Sequence, residues 1–260
     1  MKASRRNLNS AEIETVLKDL GCEWVRLDVR DQVESTNDDV LAYRAEIQPG
    51  RAFAVTAEEQ FSGRGRLDRA WSSPWGAGIA LSVACSTADV SGQISSVPLR
   101  VGLAIVKALE SLGIATAVKW PNDVVTTDDP MRKLGGVLVQ LHDDILVIGI
   151  GVNVSLQTDE LPTEAATSLF LLGHQDVSRE SLIAHILDAL NIELAHAGWL
   201  DSYRSTSRTL GQSVRITRLN QDEVIGVASD ISDSGALLVT TNQGVTEVSM
   251  GDVEHLRSSN

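Results

Sequence analysis

The most constraining feature of the sequence is a basic loop at residues 63–71, which reads GRGRLDRAW. It lies between two strand patterns, at residues 52–60 and 76–85, and almost none of its side chains suits a hydrophobic core. Glycine lets a backbone approach a ligand closely, and arginine offers forked donors that match carboxylate and phosphate. The loop therefore predicts an anion-binding site, and a solvated surface loop is the alternative interpretation.

Hydrophobic spacing and turn residues predict an α+β architecture through about residue 205. Ser10 and Ser178 are the expected N-caps of two helices, and Ser35 or Thr36 caps a third. The predicted helices span 11–20, 36–47, 97–112 and 178–199, and the predicted strands span 24–29, 52–60, 78–85, 115–119, 134–141 and 145–150. These patterns indicate a mixed, largely antiparallel sheet flanked by helices.

The C-terminal part of the chain has a different pattern. Short strand-like segments lie at 214–219, 223–231, 236–241, 245–250 and 253–256, and turn residues at 220–222, 232–235 and 242–244 separate them. Short strands at regular spacing are typical of a small barrel. We therefore predict two domains, a larger one at 1–209 and a small β-barrel at 210–260.

The composition disfavours several classes of protein. The chain has 260 residues, a net charge of −13 and two cysteines, Cys22 and Cys85. A general nucleic-acid binder needs clustered positive charge, and the net charge of −13 disfavours that function. Two cysteines are too few for a disulfide framework or a metal site, which fits a reducing cytoplasm. No apolar run approaches the roughly 18 residues of a membrane span, and residues 1–10 do not form a secretory signal.

Four further motifs accompany the basic loop. They read ESTN at 34–37, KWPND at 119–123, RKLGGV at 132–137 and GIGVN at 149–153. Together with Gln60 and the loop, they resemble the biotin–protein ligases, whose hallmarks in this order are STN, Q-x-x-GRGRxxRxW, KWPND, K-L-x-G and G-x-G-x-N. The resemblance runs from Ser35 to Asn153 and extends more weakly to the C-terminus. Five ordered motifs are far more specific than any single one.

The resemblance implies a fold, an activity and ligands. Residues 1–209 would form a catalytic domain like those of class II aminoacyl-tRNA synthetases and biotin ligases, and residues 210–260 a Src-homology-3-like barrel. The activity would be activation of biotin by ATP to biotinyl-5′-AMP, with release of pyrophosphate, and transfer of biotin to a lysine of a biotin carboxyl carrier domain. ATP and biotin are then substrates, and Mg²⁺ is expected with the triphosphate. We expect a cytoplasmic monomer or homodimer.

This chemistry requires fixed positive charge. Biotin's carboxylate must attack the α-phosphate of ATP, and two unit charges about 4 Å apart repel by about 4 kcal/mol at an effective dielectric constant near 20. Cations must be in place before the reaction, as electrostatic preorganisation requires. The chain has only five lysines, and Lys119 and Lys133 lie in the motifs. Lys133 and the basic loop are therefore the expected source of this charge.

The resemblance assigns a role to each motif residue. The catalytic residues are Lys133, which would bridge the biotin carboxyl group and the α-phosphate, with Arg64 and Arg66. Biotin-binding residues would be Ser35, Thr36, Gln60, Arg64, Lys133, Gly136 and Gly149. ATP-binding residues would be Arg66, Arg69, Trp71, Asn122, Lys133 and Asn153. Asp123 would hold Mg²⁺ or the phosphate-binding lysine. Closure of the basic loop would shield the adenylate from water.

Some of these residues also have simpler interpretations. Ser35 and Thr36 could act as helix caps and nothing more, and Asp123 could be an ordinary turn residue. Trp71 could anchor the loop in the core rather than stack on adenine. Asp68 places an acid inside the basic loop, where it either turns outward or pairs with Arg66 or Arg69.

Three other functions deserve comparison with the ligase. A lipoate ligase or octanoyl transferase belongs to the same superfamily, but the basic loop combined with KWPND is the biotin-type signature. A biotin-sensing DNA repressor carries a winged-helix domain before the STN motif. Only 34 residues precede Ser35 here, so we expect the short form without that domain and without specific DNA binding. A scaffold that only binds biotin would leave the charged motif residues without a purpose.

Overall fold

The computed structural model describes residues 5–71, 73–218 and 222–256. The helices are α1 (Ser10–Leu20), α2 (Thr36–Val40), α3 (Val97–Ser111), α4 (Arg179–Ala195) and α5 (Trp199–Thr206). The strands of the first sheet are β1 (Val25–Val33), β2 (Ala52–Gln60), β3 (Gly78–Ser86), β4 (Thr116–Lys119), β5 (Asp123–Thr126), β6 (Lys133–His142) and β7 (Ile145–Asn153). No helix in the described ranges has the length and apolar content to cross a bilayer.

The first sheet has seven strands in the order β1-β2-β3-β7-β6-β5-β4. Only the β1–β2 pair is parallel, and the other five pairs are antiparallel. The expected mixed, largely antiparallel sheet is thus confirmed. Strand β5 was not predicted, because its four residues follow the KWPND turn directly and are too few to show an alternating pattern.

Helices cover both faces of this sheet. On one face, α4 packs against both α1 and α3, and their apolar side chains join the main core. On the other face, Val40 of α2 packs with Phe53 and Val55 of β2. Tyr43 stacks on Phe53 with ring centroids 3.7 Å apart. The sheet is therefore packed on both faces, and its strand ends remain available to form a site.

Several helix boundaries differ from the predictions. The N-cap of α1 is Asn9, whose side chain accepts from the backbone N–H of Ala11 at 3.0 Å, and not Ser10. The predicted helix 36–47 is α-helical only to Val40 and continues as a 3₁₀ helix over Leu41–Glu46. Ser178 caps α4 as expected.

The predicted helix 178–199 is two helices because α4 ends at Ala195. His196 is extended, and α5 begins at Trp199. The fully buried guanidinium of Arg100 donates to the carbonyl oxygens of Glu193 and His196, at 2.8 and 3.1 Å. A helix end leaves carbonyl oxygens unpaired, and this cation satisfies them. The desolvation that burial imposes lowers the pKa of Arg100.

The C-terminal strands form a second, antiparallel sheet. They are β8 (Ser213–Thr217), β9 (Glu223–Ile231), β10 (Leu237–Thr241), β11 (Gly244–Val248) and β12 (Asp252–His255), in the order β11-β10-β9-β8-β12. Within the described strands this is an open sheet rather than the closed barrel that we expected, because β11 and β12 are its two edges. Residues 220 and 221 of the predicted turn lie outside the described part, and the division at residue 209 stays a prediction.

The C-terminal part of the chain contacts the KWPND turn and α5 through specific polar bonds. Trp120 is almost fully buried and donates its indole N–H to the carbonyl oxygen of Gly235 at 2.9 Å. Arg204 of α5 lies 2.7 Å from Asp230 of β9. These contacts hold β8 and β12 close to the KWPND turn, where the candidate site lies.

Candidate active site

A cavity of about 510 Å³ opens between the basic loop, the strand ends of the first sheet and the edge strand β12. All thirteen residues assigned from the sequence motifs line it. They are Ser35, Thr36, Gln60, Arg64, Arg66, Arg69, Trp71, Asn122, Asp123, Lys133, Gly136, Gly149 and Asn153. Motifs that are far apart in the sequence therefore meet around one space.

Strand register explains why the motifs meet. Asp123 of β5 pairs with Gly136 of β6, and Gly136 pairs with Gly151 of β7. The KWPND, KLGG and GIG segments thus lie side by side at the same level of the sheet. Two of the three residues in this row have no side chain, which leaves room above the sheet.

The basic loop is folded back on itself. The backbone N–H of Trp71 donates to Gly63 O at 2.8 Å, and that of Gly65 donates to Arg69 O at 2.6 Å. A Cβ on Gly63 would lie 2.4 Å from Trp71 O, so glycine is required for this closure. Leu67 takes a left-handed conformation with φ of 56°, a conformation that costs free energy for a residue other than glycine. The side chain of Asp68 lies outside the described part.

The three loop arginines have different environments. Arg64 pairs with Asp38 and Arg69 pairs with Asp252 of β12, and both guanidinium groups are largely exposed. Arg66 is half-buried and donates to Asn122 Oδ1 at 3.3 Å. Desolvation by burial lowers the pKa of Arg66. Arg66 is therefore the loop cation most strongly desolvated and most available to an anion in the cavity.

Lys133 stands at the start of β6 and its ammonium is held from two sides. Nζ lies 2.6 Å from Asp123 Oδ1 and 5.8 Å from the ring centroid of Trp71. The backbone of Lys133 is fixed by hydrogen bonds to Ala165 and Thr167. Because these contacts restrict the position of Nζ, the ammonium is a preorganised point charge.

Trp71 packs against the glycine row. A Cβ on Gly151 would lie 2.3 Å from Trp71 Cε2, and one on Gly136 would lie 3.4 Å from Cζ3. The indole therefore covers bare backbone and anchors the end of the basic loop. Its Nε1 has no hydrogen-bond partner among the described residues. The role of Trp71 in stacking on adenine stays a prediction.

A buried polar cluster forms another part of the cavity wall. Ser35 and Thr36 are both buried, and the Ser35 side chain makes no capping bond to α2. Thr36 N–H donates to Gln60 Oε1 at 3.3 Å. Ser82 of β3, which no motif indicated, places its hydroxyl oxygen 2.7 Å from Thr36 Oγ1. These groups can hydrogen-bond a polar ring inside the cavity.

Comparisons with known proteins identify this arrangement. Residues 29–155 match the family described as "Biotin/lipoate A/B protein ligase family", and residues 209–256 match "Biotin protein ligase C terminal domain". A biotin–acetyl-CoA-carboxylase ligase of Mycobacterium tuberculosis is 34% identical over 263 residues, covering 97% of both chains. The chain belongs to the biotin protein ligase family.

Solved structures of the biotin protein ligase family share the fold. A biotin protein ligase from Aquifex aeolicus in complex with biotin and ATP is 28% identical, with a TM-score of 0.75, over 90% of this chain and 99% of that chain. A biotin protein ligase from Leishmania major in complex with biotinyl-5-AMP is 25% identical, with a TM-score of 0.57, over 90% of this chain and 99% of that chain. The α+β class and the family expected from the motifs are confirmed.

In this member of the biotin protein ligase family, two residues that were predicted to bind the nucleotide form hydrogen bonds to the backbone around the cavity. Asn122 donates its side-chain N–H to Val137 O at 2.9 Å, which ties the KWPND turn to β6. Asn153 is buried and donates to Thr167 O at 2.9 Å, which fixes the segment beside Lys133. Both also line the cavity. Direct contact of either with the nucleotide stays a prediction.

The sequence motifs missed part of the cavity wall. The segment after β7 contributes Pro162, Thr163 and Ala166, and the C-terminal sheet contributes Thr217, Asp252, Val253 and Glu254. No local pattern marks these residues, because they approach the motifs only through long-range folding. The pairing of Arg69 with Asp252, across 183 positions of sequence, is the clearest example.

Proposed function

We propose that this chain activates biotin with ATP to biotinyl-5′-AMP and then transfers biotin to a lysine of a biotin carboxyl carrier domain. The observation that carries the proposal is that all thirteen motif residues line one cavity, so that three arginines and Lys133 share it with the buried polar residues Ser35 and Thr36. The names of the relatives agree, since one is a biotin–acetyl-CoA-carboxylase ligase and two structures hold biotin with ATP or biotinyl-5-AMP.

The polar groups and the cations of the cavity match the two ends of biotin. The ureido ring has one carbonyl group and two N–H groups, and Ser35, Thr36 and Gln60 supply short polar partners for them. The valerate chain then points toward Lys133 and Arg66. These two cations offset the repulsion between the carboxylate and the α-phosphate, which are both negative.

The chemistry proceeds in two steps. A biotin carboxylate oxygen attacks the α-phosphorus, the bond from that phosphorus to the bridging oxygen breaks, and pyrophosphate leaves with the bonding electrons. The neutral amine of the carrier lysine then attacks the acyl carbon, the bond from that carbon to the phosphate oxygen breaks, AMP leaves with the bonding electrons, and the amine nitrogen releases a proton to water. Lys133 and Arg66 stabilise the charge on the phosphorus oxygens in both steps, and Arg64 and Arg69 bind the anionic groups at the cavity mouth.

Magnesium fits this site as an ion carried by the nucleotide. Among the described residues, no group of three or more His, Cys, Asp or Glu side chains could hold a metal. Mg²⁺ commonly uses one or two carboxylates and completes its shell with water and phosphate oxygens. Two roles are open to Asp123, that of this carboxylate and that of holding Lys133, and its ion pair with Lys133 favours the second. Mg²⁺ would supply charge neutralisation for the departing pyrophosphate.

The buried polar cluster argues for biotin over lipoate or octanoate. A dithiolane ring and an alkyl chain offer no N–H or carbonyl group. Either would leave the remaining hydrogen-bonding positions of Thr36 and Gln60 desolvated and unfilled, and a desolvated unpaired polar group costs about 1–3 kcal/mol. A ureido ring satisfies them. The buried polar cluster therefore favours a cyclic urea.

The deciding experiment measures pyrophosphate release from ATP and then the mass of a carrier domain. We expect release on adding biotin, and a carrier mass increased by one biotinyl group. Lipoate and octanoate under the same conditions are expected to give neither. Transfer of lipoyl or octanoyl groups at a comparable rate would contradict the proposal.

The remaining expectations on partners and location belong to the same proposal. A carrier domain is the expected protein partner, and the cytoplasm, where biotin-dependent carboxylases meet ATP, is the expected compartment. Both cysteines are free and buried, which a reducing compartment preserves. A salt-sensitive mobility shift with one specific DNA sequence would contradict the expected lack of operator binding. Sedimentation would distinguish a monomer from a homodimer.

A further inference from the structure

Residues 5–9, the N-terminal arm, precede α1 and have no regular secondary structure. A buried ion pair fixes the backbone of this arm, with Arg179 Nη1 of α4 2.7 Å from Glu58 Oε2 of β2. Glu58 Oε1 accepts the backbone N–H of Leu8, and Arg179 Nη2 donates to the carbonyl oxygen of Arg6. A buried ion pair offsets its desolvation only when its other polar atoms are also bonded, and the arm supplies these bonds. The N-terminal arm is therefore an integral part of the fold.

The anchored arm places Arg5 against the turn that follows β7, at residues 155–160. Arg5 Nη2 lies 3.2 Å from Ser155 O and also donates to Glu160 Oε2. Only 21% of the Arg5 side chain and 26% of the Glu160 side chain are exposed, so solvent screens this ion pair only in part. Glu160 Oε2 also accepts the backbone N–H of Gln157 at 2.8 Å. One guanidinium thus joins the first and last residues of the turn.

The turn leads into the wall segment, residues 161–167, which contributes three residues to the cavity. The wall segment pairs with the backbone of Lys133. The N–H of Lys133 donates to Ala165 O at 2.7 Å, and its carbonyl oxygen accepts from the N–H of Thr167 at 2.8 Å. Residues 162–165 are exposed, so the position of the wall segment depends on the anchors at its two ends. Arg5 holds the end nearer β7, and the other end is bonded to Lys133.

We propose that Arg5 is a positioning residue for formation of the adenylate, because it fixes the 155–160 turn and, through the wall segment, the backbone of Lys133. The inference rests on the proposed function, in which the ammonium of Lys133 stabilises charge at the α-phosphate. Arg5 does not line the cavity, so its effect passes through the wall segment. A preorganised group loses much of its effect when a distant change displaces it by about 1 Å.

The test compares Arg5→Gln with a matched control, Arg6→Gln, in pyrophosphate release at saturating biotin and ATP. Arg6 is the next residue of the arm, but its guanidinium pairs with Glu12 and Glu180 and not with the 155–160 turn. We expect Arg5→Gln to lower kcat at least about threefold and Arg6→Gln to keep the wild-type kcat. A smaller loss in Arg5→Gln, or an equal loss in Arg6→Gln, would overturn the inference.

A second comparison separates positioning of Lys133 from a general loss of structure. Arg5→Gln is combined with Lys133→Ala, and adenylate formation is measured in single turnovers with enzyme in excess. If Arg5 acts through the ammonium of Lys133, its removal should slow the Lys133→Ala chain less than about twofold, since no ammonium remains to be positioned. A larger loss in this background would show that Arg5 has only a structural role, and would overturn the inference.

Glu160→Gln tests the same ion pair from the side of the turn. This change removes the charge that Arg5 binds, and it keeps an oxygen that can accept the N–H of Gln157. The single variants and the double variant Arg5→Gln/Glu160→Gln should all have about the same kcat, because each breaks one shared contact. Additive losses would contradict the inference. If Arg5→Gln does not fold, as judged by thermal unfolding, Glu160→Gln takes its place in both comparisons.

Failure of this inference is distinguishable from failure of the proposed function. A wild-type chain that releases no pyrophosphate with biotin and ATP would overturn the proposed function and this inference with it. Normal release by the wild type and by Arg5→Gln would overturn the inference and leave the proposed function intact.

Discussion

The ammonium of Lys133 lies 2.6 Å from Asp123 Oδ1, across the junction of β5 and β6. The KWPND turn and the KLGG strand are thus joined by an ion pair inside the cavity. Both side chains are partly exposed, so the pair contributes little to stability, and its main effect is to hold Nζ in one place. Two predictions about catalysis follow from this geometry.

Lys133→Ala should lower adenylate formation by about 10²–10³-fold, because one preorganised cation is lost at the phosphate. The measurement is pyrophosphate release with saturating biotin and ATP. The melting temperature should stay close to that of the wild type. Lys18→Ala, which removes an exposed lysine of α1, is the control and should retain full activity. Near-normal release by Lys133→Ala would remove this residue from the mechanism.

Asp123→Asn separates the two roles that were left open for this carboxylate. If Asp123 positions Lys133, the variant should lower kcat about tenfold and leave the Mg²⁺ concentration for half-maximal activity unchanged. We expect this result, because Asp123 Oδ1 is already bonded to Nζ. The measurement is a magnesium titration of pyrophosphate release. A marked rise in the Mg²⁺ requirement would show instead that Asp123 is a metal ligand.

Gly149→Ala and Gly151→Ala should affect different substrates, although the two glycines are on the same strand. At Gly149 the new Cβ would lie 2.5 Å from Asn37 Oδ1, and at Gly151 it would lie 2.3 Å from the indole of Trp71. Displacing the Asn37 amide should raise the KM for biotin about tenfold. Displacing Trp71 should raise the KM for ATP by a similar factor.

Gly102→Ala is the control for these glycine variants, because its Cβ would meet Val118 at an ordinary 3.5 Å inside helix α3. Replacing glycine by alanine in a helix should stabilise the fold by about 0.5–1 kcal/mol and leave both KM values unchanged. If Gly149→Ala and Gly151→Ala raised both KM values equally, the assignment of the Asn37 side of the cavity to biotin and the Trp71 side to ATP would be wrong.

The sequence motifs indicated much of the cavity wall because several of them lie at the ends of strands. Asp123, Gly136 and Gly151 each belong to a recognisable segment, and antiparallel register brings such segments together. Ser82 and Asp252 escaped prediction for the opposite reason. A serine in an apolar strand and an aspartate near the C-terminus carry no local signal, and only the tertiary fold places them beside Thr36 and Arg69.

The contrast between local sequence signals and long-range packing also explains which secondary-structure boundaries were predicted correctly. Strand β2 (Ala52–Gln60) was predicted with its correct ends because its apolar run is bounded by a Pro-Gly turn and the basic loop. The α-helix after Ser35 was predicted too long, because residues Leu41–Glu46 form a 3₁₀ helix. In that segment Tyr43 stacks on Phe53 and bonds to Asp28. Tertiary packing overrides local propensity in such short segments.

Asp252→Asn should lower the KM for ATP. Asp252 pairs with Arg69, and this carboxylate competes with the nucleotide phosphates for the guanidinium. The effect should be no more than about fivefold, since exposed ion pairs contribute about 0–1 kcal/mol. Initial rates at varied ATP measure it. Glu247→Gln, which neutralises an exposed acid elsewhere on the C-terminal sheet, should leave the KM unchanged. A higher KM in Asp252→Asn would mean that Asp252 positions Arg69 for binding.

His255 should make the fold less stable in mild acid. Burial, and then the positive charges of Lys119 and Arg208, lower the pKa of His255 to about 4, and its Nε2 has no partner among the described residues. In the unfolded chain the pKa is near 6.5, so below that pH the unfolded state takes up a proton that the folded state refuses. The free energy of unfolding should therefore decrease as the pH falls from about 6.5 to 4, and the loss from this residue should level off below 4.

The measurement compares urea unfolding of the wild type and His255→Gln across this pH range. Carboxylates also titrate there, but they do so in both chains, so the difference between the two isolates His255. We expect the free energy of unfolding of the variant, relative to that of the wild type, to increase by about 1–3 kcal/mol as the pH falls from 6.5 to 4. His196→Gln, a change at an exposed histidine, should run parallel to the wild type. A His255→Gln curve that also ran parallel would show that His255 can be protonated without cost, and that the junction between the two sheets admits water.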